Sequence, residues 1–139
     1  MGNFPLGGLR HLALKVADMG RARAFYEGLL GMKVVWEPDP DNVYLSSGCD
    51  NLALHRAQAL PEGKPEGVLD HFGFVVESVR QVQEMEKYVE GRGVRIVHRF
   101  KVHRDASASF YMADPEGNVI QILYEPTLSA QKFSATPSP

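Results

Sequence analysis

The sequence contains one cysteine, Cys49, and one tryptophan, Trp36. A single cysteine excludes an intrachain disulfide framework and any zinc site built from several thiolates. No apolar run approaches the roughly 20 residues that cross a bilayer. The start, Met1-Gly2-Asn3-Phe4-Pro5, lacks the basic-then-apolar order of a secretory signal, and Leu6 stands where a myristoylation motif requires Ser or Thr. These absences lead to the expectation of a cytoplasmic protein with no membrane partner. A charge excess is missing too: 15 Lys and Arg against 17 Asp and Glu leave a formal net charge of −2. The basic residues are scattered, so nucleic acid is not an expected partner. What remains is a chain of 139 residues, 44% of them hydrophobic, the size of one domain able to bury its own core. A small molecule is the expected ligand.

The chain repeats itself. At an offset of 60, Leu9, His11, Val16, Gly31 and Val34 reappear as Leu69, His71, Val76, Gly91 and Val94. Asp18 falls opposite Ser78, and both are good helix N-caps placed after an alternating run and before a helix-period pattern. In the first half, Leu12, Leu14 and Val16 alternate as in a two-faced strand. A helix stripe of Ala22, Phe25, Tyr26, Leu29 and Leu30 follows and stops at Gly31. Strands are then expected at Lys33 to Glu37, Val43 to Ser46 and Asn51 to Arg56, separated by turn formers. The second half opens with a strand at His71 to Val76 and a helix from Ser78 with the stripe Val79, Val82, Met85, Val89. Strands at Val94 to Val102, Ser109 to Ala113 and Asn118 to Tyr124 complete it, the last two joined by Asp114-Pro115-Glu116-Gly117. The predicted plan is therefore α+β: two tandem βαβββ modules, about 8–57 and 68–125, joined by a Pro- and Gly-rich linker at about 58–67. A frayed tail is expected over 126–139. Together the modules are expected to form one domain, a curved, partly closed mixed sheet around a cavity with helices outside.

Alternation assigns faces. With Leu12, Leu14 and Val16 toward the helix, His11 looks the other way, and so does His71 in the repeat. In the strand closing the first half, Leu52 and Leu54 face the helix and leave Ala53 and His55 opposite. In the last strand Ile120 and Ile122 leave Gln121, Leu123 and Glu125 opposite. His11, His55, His71 and Gln121 are therefore expected on the cavity face. Imidazole nitrogens suit first-row transition metals, and two His with one oxygen donor leave coordination positions open for substrate. Hydrogen-bonded structural histidines are the competing explanation, and they are the default for His98 and His103.

A histidine opening each half, with a closing hairpin that reads SFYMADPEGNVIQIL, resembles the vicinal oxygen chelate superfamily, which holds glyoxalases, bleomycin resistance proteins and extradiol dioxygenases. The resemblance covers about residues 8 to 125. It implies His11 and His71 as metal ligands, with Gln121 where a ligating Glu normally sits. Ala53 falls where glyoxalase I and a related epimerase place a further Glu or Gln ligand, so their four-ligand set is incomplete here. The implied cofactor is a divalent transition metal (Fe, Mn, Ni, Co or Zn), not necessarily retained on purification, and the implied assembly is a homodimer.

The expected function is that of a metal-dependent lyase, isomerase or dioxygenase acting on a small oxygenated molecule through Lewis-acid stabilisation. Proton transfer falls to His55 or Glu125, and substrate orientation to Tyr111, Tyr44 or Arg104. Trp36 and Phe100 are candidates to line an apolar pocket, although core packing explains them equally well. The alternative is a metal-free, dimeric protein that sequesters a small molecule of the antibiotic type.

Overall fold

The computed structural model describes residues 9–57 and 69–131, which fall into two compact units, 9–57 and 69–131. The expected linker from 58 to 67 and the end of the tail lie outside the described residues.

The first unit runs β1 (His11–Val16), α1 (Met19–Arg23) continuing as a π-helical segment (Ala24–Leu29), β2 (Lys33–Asp39), β3 (Asn42–Ser46) and β4 (Asn51–Arg56). Its four-stranded sheet has the order β1-β4-β3-β2, with β1 and β4 parallel and the other pairs antiparallel. Asp18 caps the helix by accepting from Arg21 N, and Gly31 ends the helical stretch at φ +77°, a conformation that costs glycine nothing. The π-helical segment was not expected. It carries the buried Phe25 and Tyr26, so the wider turn sits where two adjacent aromatic rings must both face the sheet. β2 is two residues longer than predicted, because Asp39 pairs with Asn42 across a tight Pro40-Asp41 turn. Val16, Val43, Leu45 and Leu54 are fully buried on the helix side. Each such side chain contributes about 1.5–3 kcal/mol by leaving water.

The second unit repeats the plan: β5 (Phe72–Val75), α2 (Val79–Glu90), β6 (Ile96–Val102), β7 (Ala108–Ala113), β8 (Val119–Tyr124) and a short α3 (Pro126–Ser129). The sheet order is β5-β8-β7-β6, again with the first pair parallel. Ser78 caps α2 by accepting from Gln81 N, as the repeat predicts. Val82 and Val89 of the stripe are fully buried, facing β6, β7 and β8, on which α2 packs. The β7–β8 turn is organised by Asp114, whose carboxylate accepts from Glu116 N, Asn118 N and Asn118 Nδ2. The expectation of fraying from Pro126 needs correction: Glu125 accepts from Leu128 N and caps α3, and Ser129 Oγ donates to the Val76 carbonyl at 2.8 Å. Among the described residues no helix is long and apolar enough to cross a membrane.

Candidate functional site

The polar face of the first sheet begins with His11, which stands opposite Asn51 on the neighbouring strand. Its Nδ1 lies 2.8 Å from Asn51 Oδ1. An amide oxygen only accepts, so Nδ1 carries the proton and Nε2 keeps its lone pair. His11 and Asn51 line an open cleft of about 580 Å³ together with Arg10 and Asp50. In the second unit His71 immediately precedes β5 and its Nδ1 donates to Asp70 Oδ2 at 2.6 Å. Here too Nε2 is left as the basic nitrogen. Among the described residues no buried side-chain nitrogen or oxygen lacks a partner, and neither Nε2 has one there, so both lone pairs are open to solvent or ligand. An acceptor on Nδ1 that fixes the tautomer and orients the ring is the arrangement found behind metal-ligating histidines.

Gln121 sits on the same face as His71. It pairs with Tyr111 on one side and Gly73 on the other. A Cβ on Gly73 would lie 3.0 Å from the Gln121 carbonyl oxygen and 3.5 Å from its Cβ, so glycine lets β5 approach this residue. The Tyr111 ring meets the His71 ring edge-on at 5.2 Å and the His98 ring at 5.3 Å. Tyr111 is thus placed beside a candidate ligand, and His98, treated as structural on sequence grounds, joins the same surface. Its parity was hidden by the register shift between Ile96 and His98.

His55 is half-buried on β4 and its Nδ1 lies 2.6 Å from Asn42 Oδ1. Tyr44 packs against it edge-on at 5.7 Å. Ala53, where the family pattern has a further ligand, is completely buried. Glu125 does not behave as expected for a proton acceptor. Its carboxylate accepts from Thr127 Oγ1 and from Leu128 N, and these hydrogen bonds, that from Thr127 first, hold its pKa below the ordinary carboxylate value. A carboxylate committed to a helix cap is a poor base.

Arg104 lines an open cleft of about 630 Å³ at the β6–β7 connection, with Lys101, His103 and Asp105. Within it His103 Nε2 is 3.2 Å from the buried Ser109 Oγ. Asp105 is held below its usual pKa, chiefly by the Ser107 hydroxyl and amide. Among the described residues no three His, Cys, Asp or Glu side chains gather as a metal site; the expected set has only two such side chains, both His, with an amide as the third donor. Asn51 and Asp70, which fix both tautomers, were not singled out in the sequence. The signals for them are a polar residue in register with His11 and an acid adjacent to His71.

Comparison with known proteins agrees with this plan. Residues 8–122 match the family model described as "Glyoxalase/Bleomycin resistance protein/Dioxygenase superfamily". The chain is 28% identical over 120 residues to glutathione transferase FosA of Serratia marcescens, covering 84% of this chain and 80% of that one. It is 24% identical over 115 residues to metallothiol transferase FosB of Staphylococcus saprophyticus, covering 82% and 74%. A solved structure titled lactoylglutathione lyase from Agrobacterium tumefaciens superposes with a TM-score of 0.72 at 24% identity, covering 92% of this chain and 100% of that chain. At that identity the superposition shows a shared fold.

Proposed function

From the premise that this chain belongs to the glyoxalase, bleomycin resistance protein and dioxygenase superfamily, we propose that it is a metal-dependent enzyme acting on a small oxygenated molecule. The observation that carries this reading is the matched tautomer of His11 and His71, each with Nδ1 tied to a side-chain oxygen and Nε2 open. His11, His71 and Gln121 would supply two imidazole nitrogens and one amide oxygen, a donor set that suits a first-row divalent ion. When bound, such an ion acts as a Lewis acid that stabilises negative charge developing on a substrate oxygen. The chain's own residues position the substrate: Tyr111 beside His71, and Arg104 with Lys101 at a basic cleft suited to an anionic group.

The choice among reactions turns on the carboxylates. Position 53 is Ala, position 121 is Gln and Glu125 is a cap, so the bases that a proton-shuttling isomerase would place there are missing. This favours a reaction whose co-substrate brings its own nucleophile, in line with the transferase names of two relatives. In such a reaction a thiolate sulfur bonds to an electrophilic carbon and the displaced electron pair settles on oxygen. The amide at position 121 likewise weighs against a dioxygenase built on a two-histidine, one-carboxylate iron site. We take the working assembly to be a homodimer.

Elemental analysis of freshly prepared protein tests the reading. About one transition-metal ion per chain is expected, with stoichiometry lost in His11→Ala and in His71→Ala while both variants keep the native circular dichroism. A native protein that takes up no Mn, Fe, Co, Ni or Zn at saturating concentrations, yet retains a bound organic molecule, would establish the sequestering alternative instead.

A further inference from the structure

Trp36, the single tryptophan of the chain, leaves 58% of its surface in solvent. It does not stand alone. Its ring lies 4.9 Å from that of Tyr44, tilted by 34°, and Tyr44 in turn meets His55. The three rings share the polar face of the first sheet, because Trp36 pairs with Tyr44, and Tyr44 and His55 alternate in register across β3 and β4. Lys15 stands directly opposite His55 on β1, with its ammonium in no ion pair among the described residues.

The protonation of His55 follows from its neighbours. Asn42 Nδ2 donates to both Asp39 oxygens, at 2.9 and 3.1 Å, which turns Asn42 Oδ1 toward His55. Nδ1 of His55 must then be the donor in the 2.6 Å contact, and Nε2 is an acceptor with no protein partner among the described residues. Among the described residues no buried polar side-chain atom is unpartnered, so Nε2 is accessible. The surface thus combines an aromatic platform, an acceptor held in one tautomer, and a cation one strand away, at about 4.8 Å between backbones.

We propose that the Trp36, Tyr44, His55 and Lys15 surface of the first sheet binds a phenolic ring. The ring would lie on Trp36, where aromatic pairs gain about 0.5–1.5 kcal/mol beyond area burial. The phenol O–H donates to His55 Nε2, and the Lys15 ammonium favours the partial negative charge that this bond places on oxygen. A purely apolar ring leaves the acceptor unpaired, and an aryl ether offers no proton. As a ligand site the surface needs no metal; as a statement about the substrate it rests on the enzyme reading above.

Trp36 emission reports on this site alone. The full chain as purified is titrated with p-cresol, 4-methylanisole and toluene, with and without a chelator. Saturable quenching by p-cresol is expected, about tenfold tighter than for 4-methylanisole or toluene, and unchanged by the chelator. His55→Phe, which keeps a ring against Tyr44, brings p-cresol within twofold of the other two; should that variant fail to fold, Lys15→Gln lowers the p-cresol preference about threefold. Equal or unsaturable quenching by all three probes overturns the proposal. So does a p-cresol preference that disappears with the chelator, which would place the phenol on a metal instead. Trp36 emission that shifts with protein concentration and ignores p-cresol also overturns it, by showing that a second copy covers the ring.

Discussion

The two halves share a fold but present different polar faces. Beneath the helices they correspond closely: Leu52 and Leu54 in one, Ile120 and Ile122 in the other, all buried at matching places in the same strand order. On the opposite faces, Ala53 and Gln121 are equivalent by register, since Ala13 pairs with the first and Gly73 with the second. Trp36 beside Tyr44 likewise corresponds to His98 beside Tyr111. The first half carries an aromatic surface around His55. The second carries imidazoles, a phenol and the amide oxygen. Packing restrains the helix face, where a lost methylene leaves a cavity. The open face is free to diverge, so the two halves of a duplicated fold can present different side chains there. The opening histidines stay alike, as do Tyr44 and Tyr111, yet the histidines achieve one tautomer differently, His11 through a neutral acceptor 40 residues away and His71 through the adjacent carboxylate.

The strongest way to break the correspondence is to remove those acceptors. Asn51→Ala and Asp70→Ala should each weaken metal affinity by about 10–100-fold, Asp70→Ala by more because a negative charge goes with the hydrogen bond. Competition with a chromophoric chelator measures it, and unchanged affinity in both variants would make the Nδ1 contacts incidental. Next comes the donor. Gln121→Glu is expected to tighten metal binding by about tenfold through the added ligand charge, whereas Ala53→Glu, in the half without a donor, should destabilise the fold by burying a carboxylate. Equal effects in calorimetry and metal titration would contradict the asymmetry.

Backbone spacing offers a smaller contrast. Gly73→Ala drives a Cβ to 3.0 Å from a main-chain oxygen and should cost about 1–3 kcal/mol, while Ala13→Gly at the matching site should cost about 0.5–1 kcal/mol. Denaturant midpoints of the two variants decide between this and a looser β5–β8 pair. The smallest effect belongs to Glu125. Its folded pKa is depressed below the ordinary 4.5, so the stabilisation it lends α3 is present above that value and fades as pH falls through the folded pKa. Glu125→Gln should remove this acid-side dependence by lowering the melting temperature slightly at neutral pH and leaving it unchanged in acid. A large loss of activity at neutral pH in this variant would restore Glu125 as a base.

Particular residues show how far the chain could be read without its structure. Both N-caps, the stop at Gly31, and the placing of His11, Ala53, His55 and Gln121 opposite the helices follow from local rules. Asp18 and Ser78 need only a neighbouring helix, and alternation needs only the strand itself. The π-helical segment escaped because its stripe of Ala22, Phe25 and Tyr26 also satisfies an α-helical period. The capping role of Glu125 escaped because parity places a side chain on a face without saying that the next turn of chain will bond to it.

The sequence by itself determined the duplicated βαβββ plan and which residues turn away from the core, since both are written in short-range periodicity that backbone geometry enforces. Only the tertiary structure decided which oxygen meets each imidazole, that a bulge brings His98 to Tyr111, and that Asp39 through Asn42 holds the tautomer of His55. Those outcomes depend on cross-strand register and on hydrogen bonds between residues distant in the chain, which no periodicity encodes.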